Sequence, residues 1–258
     1  MTGRILLSCS ALAMVLAACS SPQQRAMNRA VSQAQRTVER LPSIGDPGRV
    51  AAADFAFARM AREEGQWTAF AATAAPGAML HGRNGLIEAA PWLAQQNDPE
   101  RSVVWAPNTV WSSCDGTLAI SFGRFQNAEG RVGSYVTAWE WQRSGREYKW
   151  IYDMGGEDNP QPPPPEEPDI PEGAIIVPGL TGINGMTADC PQQGGGFAES
   201  AIDLPSGIDW AVKNSADGSL TYRWEHHADG TRRVVVDWIR EGEWQTALDF
   251  TAPEPLEQ

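Results

Sequence analysis

The spacing of apolar positions along the chain changes character once, near residue 99. Before it the period is helical. Val50, Ala53, Phe57, Met60 and Ala61 recur on one face. Asp46 suits the N-cap, Pro47 the first helical position and Gly65 the stop. Residues 67–75 read as a second short helix halted by Pro76-Gly77, residues 78–81 as a short strand, and residues 91–96 as a third helix. After Pro99 the period falls to two. Residues 101–111, 117–125, 131–143 and 147–153 then read as four strands. Asp115-Gly116, Glu129-Gly130 and Ser144-Gly145 turn the chain between them, so neighbours are antiparallel.

Residues 158–171 are acidic and proline-rich, which suits an extended spacer. Residues 179–185 and 192–196 read as glycine-rich loops, with no strand–helix junction that would make them phosphate-binding. Alternation then returns. Leu220, Tyr222 and Trp224, then Val234, Val236 and Trp238, then Trp244, Thr246, Leu248 and Phe250 form one predominantly apolar face, with turns at Asp229-Gly230 and Glu241-Gly242. Three such strands are marginal alone and need another surface to pack on.

Composition narrows the picture. The chain has 258 residues, 42% of them hydrophobic, which excludes a disordered protein. Its net charge of −12 argues against nucleic acid as a partner. The first residues carry a single Arg4 and then a short apolar run, too short to span a membrane comfortably and suited to a removed signal peptide. Leu16-Ala17-Ala18-Cys19 resembles the bacterial lipobox. The resemblance implies cleavage before Cys19 and its lipidation. Ser20 in place of a retaining aspartate implies outer-membrane sorting, facing the periplasm. An ordinary cleaved signal with an incidental cysteine is the alternative. The expected organisation is therefore a signal peptide at 1–18, a tether at 19–45, a first folded domain at 46–156, a linker at 157–195 and a β meander at 196–258.

Of four cysteines, Cys9 leaves with the signal and Cys19 takes the lipid. Cys114 and Cys190 remain as an even pair in an oxidising compartment, and a disulfide between them is expected. In the chain-entropy model that link is worth about 4.5 kcal/mol. Two separate buried thiols are the alternative.

Residues 50–156 resemble the NTF2-like superfamily, in its SnoaL-like and DUF4440 branch. The residues that carry the likeness run from Asp54-Phe55-Ala56-Phe57-Ala58 through Trp105 and Pro107 to Ser113-Cys114-Asp115-Gly116-Thr117-Leu118-Ala119 and Gly123. They end with Gly133, Tyr135, Thr137, Trp139, Gln142, Gly145, Lys149, Trp150, Asp153 and Gly155. The resemblance implies an α+β cone, N-terminal helices packed on a curved antiparallel sheet with a cavity at its open end. The C-terminal meander lies outside the family pattern. Homodimers through the outer face of the sheet are common in that family. Its members include enzymes, binders and structural subunits, so fold alone assigns no chemistry.

Trp105, Tyr135, Trp139 and Tyr152 are the candidates for a cavity lining, set against a reading as packed core. His81 and Asp153 are the candidates for a catalytic base. Against them stand a hydrogen-bonded His81 and a turn role for Asp153. Asp54 either bonds across to the sheet or faces solvent. His226-His227 are adjacent, point to opposite faces in a strand and assign no metal. No cofactor is indicated. Three readings follow: a non-catalytic module for a small apolar ligand or an envelope partner protein, a cofactor-free proton-transfer enzyme of isomerase or lyase type, and a purely structural envelope protein.

Overall fold

A computed structural model describes residues 45–163, 182–191 and 206–252. The lipobox with Cys19, the tether and most of the linker lie outside the described residues. Helix α1 (Pro47–Glu64) starts where Asp46 accepts a hydrogen bond from the Gly48 amide at 2.9 Å. Gly65 ends it with φ of 117°, which few other residues adopt. Helix α2 (Gln66–Thr73) follows at once, and the short α3 (Ala89–Leu93) comes after β1 (Ala74–Gly82) and β2 (Gly85–Glu88). No helix among the described residues is long and apolar enough to cross a membrane.

Strands β3 (Val104–Ser112), β4 (Leu118–Gln126), β5 (Val132–Gln142) and β6 (Glu147–Glu157) form an antiparallel meander. Strand β1 extends it in parallel beside β6, and β7 (Asn184–Thr187) adds in parallel to β3 at the far edge. The result is a seven-stranded mixed sheet in the order β2-β1-β6-β5-β4-β3-β7. A second, four-stranded antiparallel sheet is built from β8 (Asp209–Asn214), β9 (Leu220–His226), β10 (Arg232–Arg240) and β11 (Glu243–Ala252).

This corrects the expected α+β cone. Strands hold 51% of the described residues and helices 18%, and a seven-stranded mixed sheet with a second sheet replaces N-terminal helices on a single curved antiparallel one. Local periodicity missed β7 and β8, which are four and six residues long. It also ended the second helix at residue 75, where the chain has already turned into β1. Parallel pairing depends on contacts between distant segments, so no local pattern announces it.

The large sheet is covered on both faces. On its front, Val50, Phe57 and Ala61 of α1 pack with Trp105, Val110, Tyr135, Trp139 and Trp150. On its back, Leu118, Ile120, Val136, Ala138, Tyr152 and Met154 pack against Leu220, Tyr222, Val234, Val236 and Trp238 of the small sheet. Each buried side chain of this size contributes about 1.5–3 kcal/mol. The back face, where the resemblance put a homodimer contact, is thus occupied by the chain's own second sheet.

The two meanders share their turn chemistry. Ser113-Cys114-Asp115-Gly116-Thr117-Leu118 recurs as Ser215-Ala216-Asp217-Gly218-Ser219-Leu220. In each, the first serine amide donates to the leucine carbonyl and the glycine sits at positive φ. The next turns match as Asn127-Ala128-Glu129-Gly130 and His227-Ala228-Asp229-Gly230. The first pair of turns dock on each other reciprocally. The Cys114 amide donates to Ser219 Oγ and the Ala216 amide to Thr117 Oγ1, both at 2.9 Å. Cys114 is joined to Cys190 by a disulfide with Cα atoms 5.0 Å apart. The second meander is therefore a structural repeat of the first, packed back to back with it.

Candidate functional site

A cavity of about 160 Å³ lies between the helices and the front of the large sheet. Phe57, Phe70, Trp105, Phe125 and Tyr135 supply aromatic walls, and Val103 and Gly155 complete the apolar lining. Two polar side chains also line it, Asp153 from β6 and Gln66 from the start of α2.

Strand pleat explains why Asp153 points here. Its neighbours Tyr152 and Met154 belong to the back core, so Asp153 must face the helices. Thr137, its partner across β5, donates Oγ1–H to Asp153 Oδ2 at 2.6 Å. The other carboxylate oxygen has no hydrogen bond among the described residues. Burial pushes the Asp153 pKa up to about 7, and the nearby charge of Asp54 adds to the rise, while the Thr137 hydrogen bond opposes it.

Asp54 stands behind the wall. It is fully buried in α1 and bonds across to the sheet. Trp105 Nε1 donates to its Oδ1 at 2.8 Å and the Tyr135 hydroxyl to its Oδ2 at 3.0 Å. Burial raises its pKa to about 6 despite hydrogen bonds from Ser121, Trp105 and Tyr135. Burial and the adjacent Asp54 hold the Tyr135 phenol far above its ordinary range, so it stays protonated. Asp54 thus fixes the two aromatic walls that the sequence put forward for this role.

The other candidates are placed elsewhere. Trp139 is packed in the front core, its Nε1 donating to Ser121 Oγ at 2.9 Å, and does not line the cavity. Tyr152 faces the back. Its hydroxyl bonds His81 Nδ1 at 2.7 Å, and His81 Nε2 lies 3.0 Å from His226 Nδ1. A neutral imidazole serves both neighbours by donating through one nitrogen and accepting through the other. Burial, with the charges of Arg232 and His226, lowers the His81 pKa to about 3. Arg232 further clamps the His81 carbonyl at 2.8 Å. His81 is a hydrogen-bonded joint between the two sheets, remote in role from the cavity. Asp153 lies within a strand, not at a turn. Among the described residues no group of three or more His, Cys, Asp or Glu side chains is arranged to hold a metal.

Gln66 was not marked by the sequence. It follows the helix-ending Gly65 as the first residue of α2, where it is buried, and no local pattern announces that. No protein-family model matches the chain, and no curated protein matches it significantly.

Proposed function

We propose that this is a lipid-anchored envelope protein of the outer membrane, facing the periplasm, whose front cavity binds a small, largely apolar molecule. The observation that carries the binding reading is an aromatic-walled space with one carboxylate oxygen left over for a guest. Its volume is close to that of the roughly 150 Å³ apolar cavity known to accept benzene. Lining of this kind, mostly apolar with few polar groups, is the usual composition of a ligand pocket. The N-terminal address supports the location.

Native mass spectrometry of the full chain, purified from its own envelope, tests the reading. A copurified small molecule is expected. It is lost from Gly155→Val, because a side chain at Gly155 grows into the cavity while its Cβ makes only ordinary contacts, the nearest at 3.5 Å from Phe125. A guest retained in that variant sits somewhere else. Lipidation is checked by metabolic labelling with a fatty-acid analogue, which Cys19→Ser abolishes.

A second reading, proton transfer on the bound molecule, is favoured by one observation. A carboxyl with a pKa of about 7 in an apolar pocket is poised to accept a proton near neutral pH. Turnover that rises through pH 7 and vanishes in Asp153→Asn would select it over simple binding.

A further inference from the structure

We infer that the cavity selects an uncharged, single-ring-sized compound bearing a hydroxyl or carbonyl oxygen, held between the Gln66 amide and the Asp153 carboxyl. The inference rests on the cavity being a ligand site and names what that site takes. Gln66 is 92% buried, and its Oε1 accepts the Val103 amide at 2.9 Å. A backbone N–H is met only by the oxygen of a side-chain amide, so the amide orientation is fixed by chemistry. The Nε2 group therefore faces outward from that bond with two donating hydrogens and no partner among the described residues. Nε2 is not among the buried side-chain atoms left without a partner, so it meets open space, and an oxygen on the guest takes the place of solvent there.

Asp153 supplies the complementary group. Thr137 occupies Oδ2, and the remaining oxygen accepts from a hydroxyl when ionised or donates to a carbonyl when protonated. An anionic guest is disfavoured because Asp153 lines the cavity and Asp54 stands behind its wall, both carboxyls. A cationic guest is disfavoured by the amide donor of Gln66. The titratable groups around Asp153 are Asp54 from α1 and Tyr135 and Tyr152 from the sheet. The two tyrosines stay protonated, which leaves Asp153 as the charge lining the cavity, with Asp54 behind its wall.

Phenol and toluene are isosteric probes that differ in this oxygen. Calorimetric titration of the full chain at pH 8 is expected to show binding of both. Gln66→Glu keeps an acceptor for the Val103 amide and removes the donor. It is expected to weaken phenol about tenfold, the worth of one hydrogen bond, and to change toluene less than twofold. Asp153→Leu reads the other pole in the same way if Gln66→Glu does not fold. Equal losses for both probes, no loss of phenol in either variant, or tighter binding of benzylammonium than of phenol overturns the inference and leaves the ligand site standing. Binding of neither probe by the unaltered chain overturns the ligand site and the inference together.

Discussion

Two aspartates lie on the outward faces of the fourth strands of the two meanders and meet opposite fates. Asp153 lies in the fourth strand of the first, flanked by Tyr152 and Met154, which face the inter-sheet core. Asp249 lies in the fourth strand of the second, flanked by Leu248 and Phe250, which face the same core. Each pairs with the strand before it, Asp153 opposite Thr137 and Asp249 opposite Val235. Both point away from the interface. Helices cover the first, and burial raises its pKa to about 7. The second has Arg233 for a neighbour, with Nε donating to Oδ1 at 2.7 Å and Nη2 to Oδ2 at 2.6 Å, and these bonds hold its pKa below the usual range. A repeated backbone therefore carries no function by itself. What covers each outer face decides whether a carboxyl takes a raised pKa or joins a surface ion pair.

Four experiments break or sharpen that comparison. The largest effect is expected on removing the disulfide, which ties the first meander's turn to the segment beyond β7. Cys114→Ala with Cys190→Ala should lower stability by about 4 kcal/mol in urea denaturation. A loss below 1 kcal/mol would mean that packing of the two sheets already fixes their relation.

Next come the matching leucines that follow the two docked turns. Leu118 and Leu220 are 1% and 0% exposed in the same core. Alanine at either is expected to cost about 3 kcal/mol, with the two losses similar. A large imbalance would show that one meander carries the interface.

The third tests the aspartates by pH. Asp153 binds a proton more tightly folded than unfolded, since its ordinary pKa of 3.8 rises to about 7. The folded state then holds more protons between these values, and stability falls as pH rises through that window. Asp153→Asn should therefore gain on the natural chain by about 3 kcal/mol between pH 5 and pH 8. His81 has the reverse sign. Its pKa drops from 6.5 to about 3, so the unfolded state holds the extra proton and stability rises with pH across that range. A flat difference curve for Asp153→Asn would remove the raised pKa from the argument.

The smallest effect belongs to Asp249. Its pKa is lowered, so its stabilisation is present above pH 3.8 and fades in acid. The carboxyl side chain is 49% exposed, and solvent screening keeps the pair to less than about 1 kcal/mol. Asp249→Asn measured beside Asp153→Asn should show the opposite sign and a smaller size.

Much of this organisation was legible in the residues. The first helix, with its Asp46 cap and Gly65 stop, and the four central strands follow the period of apolar positions closely. Tyr135 is nameable from the alternation of its strand, and Trp105 and Asp153 from their places in the strands read over 101–111 and 147–153. The structural repeat was also written in the chain, as Ser-x-Asp-Gly-Thr/Ser-Leu at positions 113 and 215. Reading element by element passes over it, because a repeat appears only when distant segments are compared. Trp139 shares the alternation of Tyr135 and yet lies in the packed front core, and Tyr152, next to Asp153, takes the opposite face. Alternation tells which face a side chain takes, not whether a gap lies in front of it.

The sequence by itself determined where helices and the longer strands form, which positions are apolar, and which turns reverse the chain, since these depend on neighbours a few residues away. Only the tertiary structure decided the parallel edges of the large sheet, the back-to-back packing of the meanders and the cavity. It also decided the protonation of three buried groups, Asp54, Asp153 and His81. A pKa depends on the solvent and charges within a few ångströms, and here those come from segments as far apart in the chain as α1 and β6, or β1 and β9.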